Sequence, residues 1–417
     1  MFLLGRYLRR LIATGRLTII DAQGRRHVFG DGGTPVSTIK FRDKLVAYEL
    51  LLGPSLKFGE AYMAGRIDLV EGSITDFVDL VSRNLAIAPL PKPARVIALG
   101  YRLLRRIHQF NPARRAQRNA AHHYNISREL YDLFLDTDRQ YSCAYFEYPE
   151  QSLEAAQYAK KRHLAAKLFL KSGQRVLDIG CGWGGLGLYL AGEGECQVTG
   201  ITLSSEQLKV ARERAEAAQL DNRVDFELRD YRFQEGCFDR IVSVGMFEHV
   251  GINHYAEFFG KLNALLADDG VAMLHTIGRT DGPGSTDPWI RKYIFPGGYI
   301  PALSEVMRAI ERSGLIVTDV EVLRLHYAET LRHWQERFQA NRDKAKALYD
   351  ERFCRMWEYY LATSEAAFRH LNTVVFQIQM AKQQTALPLT RDYVADWKQA
   401  QAHRGREAPR QDNQRAA

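Results

Sequence analysis

Residues 175–185 read RVLDIGCGWGG, and this short stretch decides the fold of the 417-residue chain. Its first five residues form an apolar run that is typical of a buried strand. The glycines that follow let the backbone turn tightly into a helix and let a ligand approach the main chain closely. Gly180, Gly182 and Gly185 also satisfy G-x-G-x-x-G, the pattern of many dinucleotide sites. The stretch therefore predicts a nucleotide-type cofactor at the end of a strand.

The positions of the acidic residues narrow the choice of cofactor. The second predicted strand ends in TGITLS (residues 199–204), which offers no acid to hold the ribose of a dinucleotide. Asp178 instead lies before the glycines, where it would repel a pyrophosphate but attract a cationic, phosphate-free ligand. Asp230 ends the third predicted strand and can accept a hydrogen bond from an adenine amino group. This arrangement is similar to that of methyltransferases that bind S-adenosylmethionine (SAM).

Strand and helix patterns alternate from about residue 120 to 382. The candidate strands are 175–180, 196–203, 224–230, 238–246, 270–278, 315–323 and 372–380, and a long aromatic-rich helical stretch covers 328–369. Such alternation argues for a mostly parallel sheet with helices on both faces. We therefore predict the α/β class, with a Rossmann-like class I SAM-dependent methyltransferase sheet and a small N-terminal α+β domain.

Composition shifts suggest four segments. In the first, residues 16–20 and 26–29 alternate like strands and are expected to pair across a turn at Gln23-Gly24. The closely spaced prolines after residue 88 predict extended backbone rather than helix. The predicted division is an N-terminal lipid- or membrane-associated domain at 1–88, a basic linker at 89–119, a SAM-dependent catalytic domain at 120–400 and a disordered tail at 401–417.

The charge of the chain points to a polyanionic surface. Lysine and arginine total 57 against 49 aspartate and glutamate residues, for a net charge of +8, and no acidic residue lies between Asp79 and Glu129. Such a basic stretch attracts nucleic acid or an anionic membrane.

The five scattered cysteines form no CxxC pair, which favours a reducing compartment over a disulfide framework or a metal site. No apolar run is long enough for a membrane-spanning helix, and the N-terminus lacks the apolar core of a signal peptide. We expect a cytoplasmic protein.

Six motifs, in order along the chain, resemble the cyclopropane-fatty-acyl-phospholipid synthase family, whose best-known relatives include mycolic acid cyclopropane synthases. They are YSCAYF (141–146), LDIGCGWG (177–184), GITLS (200–204), FEHVG (247–251), LHTIG (274–278) and FPGGYIP (295–301). FGEAYMAG (58–65) extends the resemblance into the N-terminal region, although Arg66-Ile67 follows where many relatives carry aromatic residues.

The resemblance implies that a methylene from SAM is added across a cis double bond of a phospholipid acyl chain. The alkene attacks the sulfonium methyl directly, which creates a carbocation, and a base then removes a proton so that the ring closes. Water must be excluded, because it would trap the cation. In the family the base is held to be a bound bicarbonate. Its cage, carried over to this sequence, is Cys143, Glu248, His275, the backbone of Ile277, and Tyr327. The cofactor contacts carried over are Tyr124, Tyr141, Ser142, Gly180, Gly182, Thr202, Gln207 and Asp230, and Asp178 joins them through its position before the glycines.

The resemblance further implies a peripheral enzyme at the inner face of the cell membrane, bound to anionic headgroups and forming a homodimer. No metal is expected, because no second ligand pair accompanies Glu248 and His249. Nucleic acid is not expected, because no recognition signature accompanies the basic stretch. Two alternatives stay open. One is a lipid methyltransferase that gives a methylene- or methyl-branched chain, since branching and ring closure share their first step. The other is a small-molecule N-methyltransferase, although an amine substrate would not need the full cage.

Overall fold

The computed structural model describes residues 1–88, Gly100, Gln109 and 127–407, of which 401–407 are described by their backbone alone. Nearly all of the predicted linker, the predicted cofactor residue Tyr124 and the tail from residue 408 lie outside this part of the chain. Among the described helices, none is long and apolar enough to cross a membrane.

The N-terminal region is a four-stranded sheet with four helices. Its elements are α1 (Phe2–Leu11), β1 (Arg16–Ile20), β2 (Arg26–Gly30), β3 (Val36–Phe41), α2 (Leu45–Leu52), α3 (Pro54–Met63), β4 (Ile67–Glu71) and α4 (Ile74–Ile87). The strand order is β2-β1-β3-β4. The hairpin predicted across Gln23-Gly24 is confirmed, because β1 and β2 pair antiparallel. The parallel pairing of β1 with β3 was not predicted from the sequence.

The second region contains the remaining elements. They are α5 (Arg128–Asp132), α6 (Leu153–Lys167), β5 (Arg175–Ile179), α7 (Gly185–Gly192), β6 (Gln197–Thr202), α8 (Ser205–Ala217), β7 (Val224–Leu228), β8 (Phe238–Val244), α9 (Tyr255–Leu265), β9 (Leu266–Arg279), α10 (Pro288–Tyr293), α11 (Leu303–Glu311), β10 (Ile316–Leu323), α12 (His326–Ala340), α13 (Arg342–Leu348), α14 (Glu351–His370), β11 (Thr373–Ala381) and α15 (Asp392–Glu407). Short 3₁₀ turns lie at Tyr231–Phe233, Phe247–His249, Ile252–His254 and Gln384–Ala386.

All seven predicted strands of this region are present in one sheet, ordered β10-β11-β9-β8-β5-β6-β7. The central strands β9, β8, β5, β6 and β7 run parallel, and β11 pairs antiparallel with both β9 and β10. The predicted α/β class with a smaller N-terminal α+β region is confirmed. Because parallel strands end at one edge, the segments that follow β5, β6, β7 and β8 meet there, and that edge is where such sheets bind ligands.

The helical stretch predicted at 328–369 is three helices rather than one. The first break falls at Asn341, whose side-chain amide donates to the carbonyls of Leu133 and Arg337. The second break precedes Asp350, whose carboxylate accepts the amide of Phe353 and caps α14. Capping side chains of this kind compete with continued helix, and this explains the two breaks.

The two regions share one hydrophobic core. Buried residues of the N-terminal region, such as Phe58 and Phe77, belong to the same cluster as Trp334 and Trp357 of α12 and α14. At the carboxyl end, α15 continues helical backbone through Glu407, past the predicted start of the tail at 401.

Candidate active site

One cavity of about 150 Å³ opens at the carboxyl ends of β5, β6, β7 and β8. Every predicted cofactor residue that the structure describes lines it: Tyr141, Ser142, Asp178, Gly180, Gly182, Thr202, Gln207 and Asp230. Residues separated by up to 90 positions in sequence are therefore brought to one place. Further lining residues that were not predicted to contact the cofactor include Gln140, Trp183, Met246 and His249.

The glycine turn forms the floor of the cavity. Gly180 and Gly182 have φ values of +83° and +55°, in the left-handed region that favours glycine. A Cβ atom on Gly180 would lie 2.8 Å from the Cβ of Met246, so the turn could not accept a side chain without moving its neighbour. The amide of Gly180 donates to the carbonyl of Ile201 at 2.9 Å, which holds the turn against β6.

Asp178 supplies a buried negative charge at this floor. Its side chain is 1% exposed, and its Oδ2 has no hydrogen-bond partner among the described residues. Burial raises the pKa of Asp178 to about 7, and the charge of Lys160 opposes that rise. A buried carboxylate with a free oxygen is suited to a cationic ligand that donates hydrogen bonds, and the amino group of SAM is such a ligand. The site therefore fits the cofactor that the sequence predicts.

The far wall comes from β6 and β7. The hydroxyl of Thr202 donates to Oε1 of Gln207 at 3.1 Å, and Ser204 caps α8 by accepting the amide of Gln207. These contacts hold neutral hydrogen-bonding groups where dinucleotide enzymes carry an acid. Asp230 accepts the amide of Arg232 at 3.0 Å through Oδ1 and so caps the turn after β7.

The near wall is the segment before α6. The hydroxyls of Tyr141 and Tyr360 lie 2.8 Å apart, and the Tyr141 ring stacks on Trp334 at 5.2 Å between centroids. Ser142 accepts a hydrogen bond from the ammonium of Lys160 at 2.8 Å. Tyr141 thus holds the wall to α14 and α12, and Ser142 holds it to α6.

Glu248 lies just behind the cavity, in the turn after β8. Its Oε1 accepts the amide of Ile277 at 2.5 Å, whereas Oε2 is buried without a hydrogen-bond partner in the described chain. Burial raises the pKa of Glu248, and the hydrogen bond from Ile277 opposes that rise. The Ile277 amide, which the resemblance assigns to bicarbonate, is therefore already bonded to Glu248. Oε2 makes no hydrogen bond among the described residues, and the hydroxyl of Thr276 lies close enough to the carboxylate to oppose the rise in its pKa as well.

His275 lies two residues before Ile277 on the same strand, so both side chains point to the same face of the sheet. The imidazole Nδ1 is 3.2 Å from the side-chain nitrogen of Gln377 on β11. Burial lowers the pKa of His275 well below its usual value, and the positive charge of Lys160 lowers it further. His275 is therefore neutral at physiological pH and can donate one hydrogen bond.

Cys143 lies in the segment before α6, and Tyr327 lies in the first turn of α12. Cys143 is fully buried, its thiol donates to the carbonyl of Ala144, and burial raises its pKa, so it is a thiol rather than a thiolate. The amide of Ala144 donates to the hydroxyl of Thr330, one turn along α12 from Tyr327. The Tyr327 ring packs against Trp334 and Phe368.

The residues of the predicted cage thus fall into two groups. Glu248 is hydrogen-bonded to Ile277 on β9, the strand that also carries His275. Cys143 precedes Ala144, which is hydrogen-bonded to Thr330 on α12, the helix that carries Tyr327. Ile277 packs against the core cluster that contains Cys143 and Tyr327. Among the described residues, no group of histidine, cysteine and acidic side chains could hold a metal ion.

Sequence reasoning missed Lys160. The signal was present in α6, where Leu153, Lys160 and Lys167 recur every seven residues and so share one face of the helix. All three are buried. A lysine at the apolar position of a helix is costly to bury, and its presence there could have marked it as functional.

Comparison with known proteins gives the same picture. A family model described as mycolic acid cyclopropane synthetase matches residues 111–378, and one described as a domain of unknown function matches residues 12–86. A probable fatty acid methyltransferase of Pseudomonas putida is 40% identical, with 82% of this chain and 86% of the relative covered. The cyclopropane-fatty-acyl-phospholipid synthase of Escherichia coli K12 is 43% identical, with 62% and 66% covered.

Among solved structures, a mycolic acid cyclopropane synthase complexed with SAH and CTAB is similar to this chain, with a TM-score of 0.61 and 33% identity. The match covers 65% of this chain and 99% of that one. The seven-stranded sheet is therefore that of class I SAM-dependent methyltransferases, and all described cavity residues lie within the matched range 111–378.

Proposed function

The chain belongs to the mycolic acid cyclopropane synthetase family and is a SAM-dependent methyltransferase that acts on unsaturated lipid chains; on this premise, we propose that it forms a cyclopropane ring on the cis double bond of a phospholipid acyl chain. The observation that carries the proposal is Glu248, a buried carboxylate held at Oε1 and free at Oε2, directly behind the cofactor cavity.

The base in this proposal is bicarbonate. When bound, SAM supplies an electrophilic methyl group, which the alkene attacks. The resulting cation on the acyl chain loses a proton from the new methyl, and the released C–H electron pair closes the ring. Glu248 would accept the O–H of bicarbonate at its free oxygen and so direct the basic oxygens towards that methyl. His275 and Tyr327 would donate hydrogen bonds to the anion.

An aromatic wall supports the same reaction. Tyr141, Trp334, Tyr327 and Phe368 form a connected series of ring contacts with centroid separations of 5.2, 5.8 and 4.7 Å. Ring faces stabilise a nearby cation, and a wall of apolar side chains excludes the water that would trap it. We place the reacting part of the acyl chain beside Tyr141, the ring of this series that lines the cavity.

The lipid would reach the site from an anionic membrane bound by α1 and α2. These neighbouring helices expose Phe2, Leu3, Leu45, Tyr48 and Leu52, and the exposed fractions of Phe2 and Leu52 are 78% and 82%. Arg6, Arg9, Arg10 and Lys44 are exposed on the same two helices or directly beside them. Apolar side chains bordered by basic ones suit an anionic headgroup layer, where each basic residue contributes about 1 kcal/mol.

Vesicle binding tests this surface. L45E/L52E should weaken sedimentation with phosphatidylglycerol vesicles at least tenfold and leave SAM binding unchanged. The matched control is V322E on β10, where an exposed valine lies on the other sheet of the protein. Equal binding by the wild type and L45E/L52E would exclude the surface.

A methyl- or methylene-branched product is the second candidate, and it is favoured by the relative described as a probable fatty acid methyltransferase, which matches 82% of this chain. Purified protein, SAM and vesicles of cis-monounsaturated phosphatidylglycerol distinguish the two, with the acyl chains analysed by proton NMR. Ring protons together with loss of the alkene support cyclopropanation. A new methylene or methyl signal without ring protons supports branching, and transfer only to added amines would exclude both.

A further inference from the structure

Lys160 is a buried cation in the wall of the cofactor cavity. Its side chain is inaccessible to solvent, and its ammonium donates to Oε1 of Gln140 at 2.7 Å and to the hydroxyl of Ser142 at 2.8 Å. Both acceptors line the cavity. No carboxylate of the described chain lies within ion-pair distance of this ammonium, in contrast to Lys161 and Lys167 on the same helix, which pair with Asp138 and Glu321. A buried cation that contacts only neutral groups is unusual, because burial of a charge is normally offset by an ion pair.

The charged groups around Lys160 lie both at the cofactor cavity and at the predicted bicarbonate cage. The titratable groups that act on it, or on which it acts, are Asp136, Asp138, Lys161, Cys143, Asp178 and His275. Burial lowers the pKa of Lys160 to about 8, and the charge of Asp136 opposes this shift. The positive charge in turn lowers the pKa of both Asp178 and His275. It therefore favours an anionic Asp178 on the cofactor side and a neutral His275 on the side of the predicted cage.

The segment 136–142, which carries Gln140 and Ser142, is also held by hydrogen bonds at its start. Asp136 accepts the amides of Asp138 and Gln140 at 3.0 and 2.9 Å. The backbone of residues 136–140 is thereby fixed, and Lys160 fixes the side chains that follow. Gln157, one turn earlier on α6, donates to the carbonyl of Ser142 at 2.9 Å.

We propose that Lys160 is a positioning residue for cofactor binding: its two hydrogen bonds hold Gln140 and Ser142 in the cavity wall against which the cofactor binds. This inference rests on SAM as the cofactor and not on ring formation, because its test measures cofactor binding without lipid. A protein that binds SAM as expected but forms no ring would leave the inference intact.

The experiment measures the dissociation constant of S-adenosylmethionine by titration calorimetry at pH 7.5 for the wild type, K160M and K160R. K160M removes both hydrogen bonds and keeps the apolar stem of the side chain, so we expect binding to weaken about tenfold. K160R keeps hydrogen-bond donors at this position, so we expect it to bind more tightly than K160M.

The matched control is K167M. Lys167 is similarly buried on the same face of α6, but it pairs with Glu321 and Asp319 away from the cavity. K167M should lower thermal stability and leave the dissociation constant for SAM unchanged. A folded K160M with the wild-type dissociation constant would overturn the proposal.

If K160M does not fold, K160Q carries the test. Glutamine is shorter than lysine and cannot bond Gln140 and Ser142 together, so binding should weaken at least threefold. A folded K160Q with the wild-type dissociation constant would mean that these contacts do not shape the cavity wall, and the proposal would be wrong.

Discussion

Replacement of Glu248 by glutamine separates chemistry from cofactor binding. Glutamine keeps the oxygen that accepts the Ile277 amide at 2.5 Å and converts the free Oε2 into an NH₂ donor. The side chain keeps its size, so the turn after β8 should not move. What is lost is one negative charge and one acceptor directed at the proposed bicarbonate.

The expected loss can be given a magnitude. A hydrogen bond to a charged group contributes about 1.5–3 kcal/mol. At about 1.4 kcal/mol for each factor of ten, kcat should fall by about 10- to 150-fold. Asp178 and the glycine turn are unchanged, so affinity for S-adenosylhomocysteine should stay within about threefold of the wild type.

Stability provides an independent check on the same variant. Burial raises the pKa of Glu248, so the ionised form is disfavoured in the folded protein. Above that pKa the charge therefore costs stability, and this cost appears as pH rises. E248Q should unfold at the same temperature as the wild type or a higher one at pH 8.

The assay pairs calorimetric titration with S-adenosylhomocysteine and single-turnover conversion of vesicle lipid. E358Q is the matched control, because Glu358 is similarly buried but bonds Arg342 and Tyr62 away from the cavity. It should lose stability and keep turnover. Loss of cofactor binding by folded E248Q, or full turnover by it, would refute the role assigned to Glu248.

Three further predictions follow from single contacts. G180A should abolish detectable SAM binding, because the φ of +83° at Gly180 and the 2.8 Å approach of Met246 leave no room for a methyl group. The control is G173A, because Gly173 has a φ of +79° but open space around it. Equal SAM binding by the two variants would contradict the prediction. G59A should lower the free energy of unfolding by about 1–3 kcal/mol, because its Cβ would lie 2.3 Å from Trp289, where the two regions pack together. The control is G260A on α9, where the space is open and the free energy of unfolding should stay the same or rise. Removal of dissolved carbon dioxide should slow turnover reversibly without altering cofactor affinity, and a constant rate would argue against bicarbonate as the base.

Much of the fold could be predicted because its signals are local. The strand that carries Asp178 and the glycines after it fix the cofactor edge of the sheet, and the seven strands follow from their apolar patterns. The breaks at Asn341 and Asp350 were missed, because a capping residue looks like any polar surface residue until its acceptor or donor is known. The parallel pairing of β1 with β3 was missed because pairing between non-adjacent strands leaves no mark on either one.

Side-chain partners were harder to predict than backbone. The eight described residues that were predicted to contact the cofactor line one cavity. The hydrogen bond from Ile277 to Glu248, in contrast, depends on how the turn after β8 approaches β9, which the sequence does not encode locally. Lys160 was overlooked because a lysine on a helix is normally taken as exposed. Its burial follows only from the packing of α6 against the segment that carries Ser142.

The central claim is that the site removes one proton from the methyl it transfers. Purified protein is incubated with SAM carrying a trideuterated methyl group and with cis-monounsaturated phospholipid vesicles, and the deuterium retained on each modified acyl chain is counted by mass spectrometry. Two retained deuterium atoms on a chain whose proton NMR shows a ring and no alkene are the predicted result. Three retained deuterium atoms, or two on a chain that still holds an alkene, would contradict ring closure at this site.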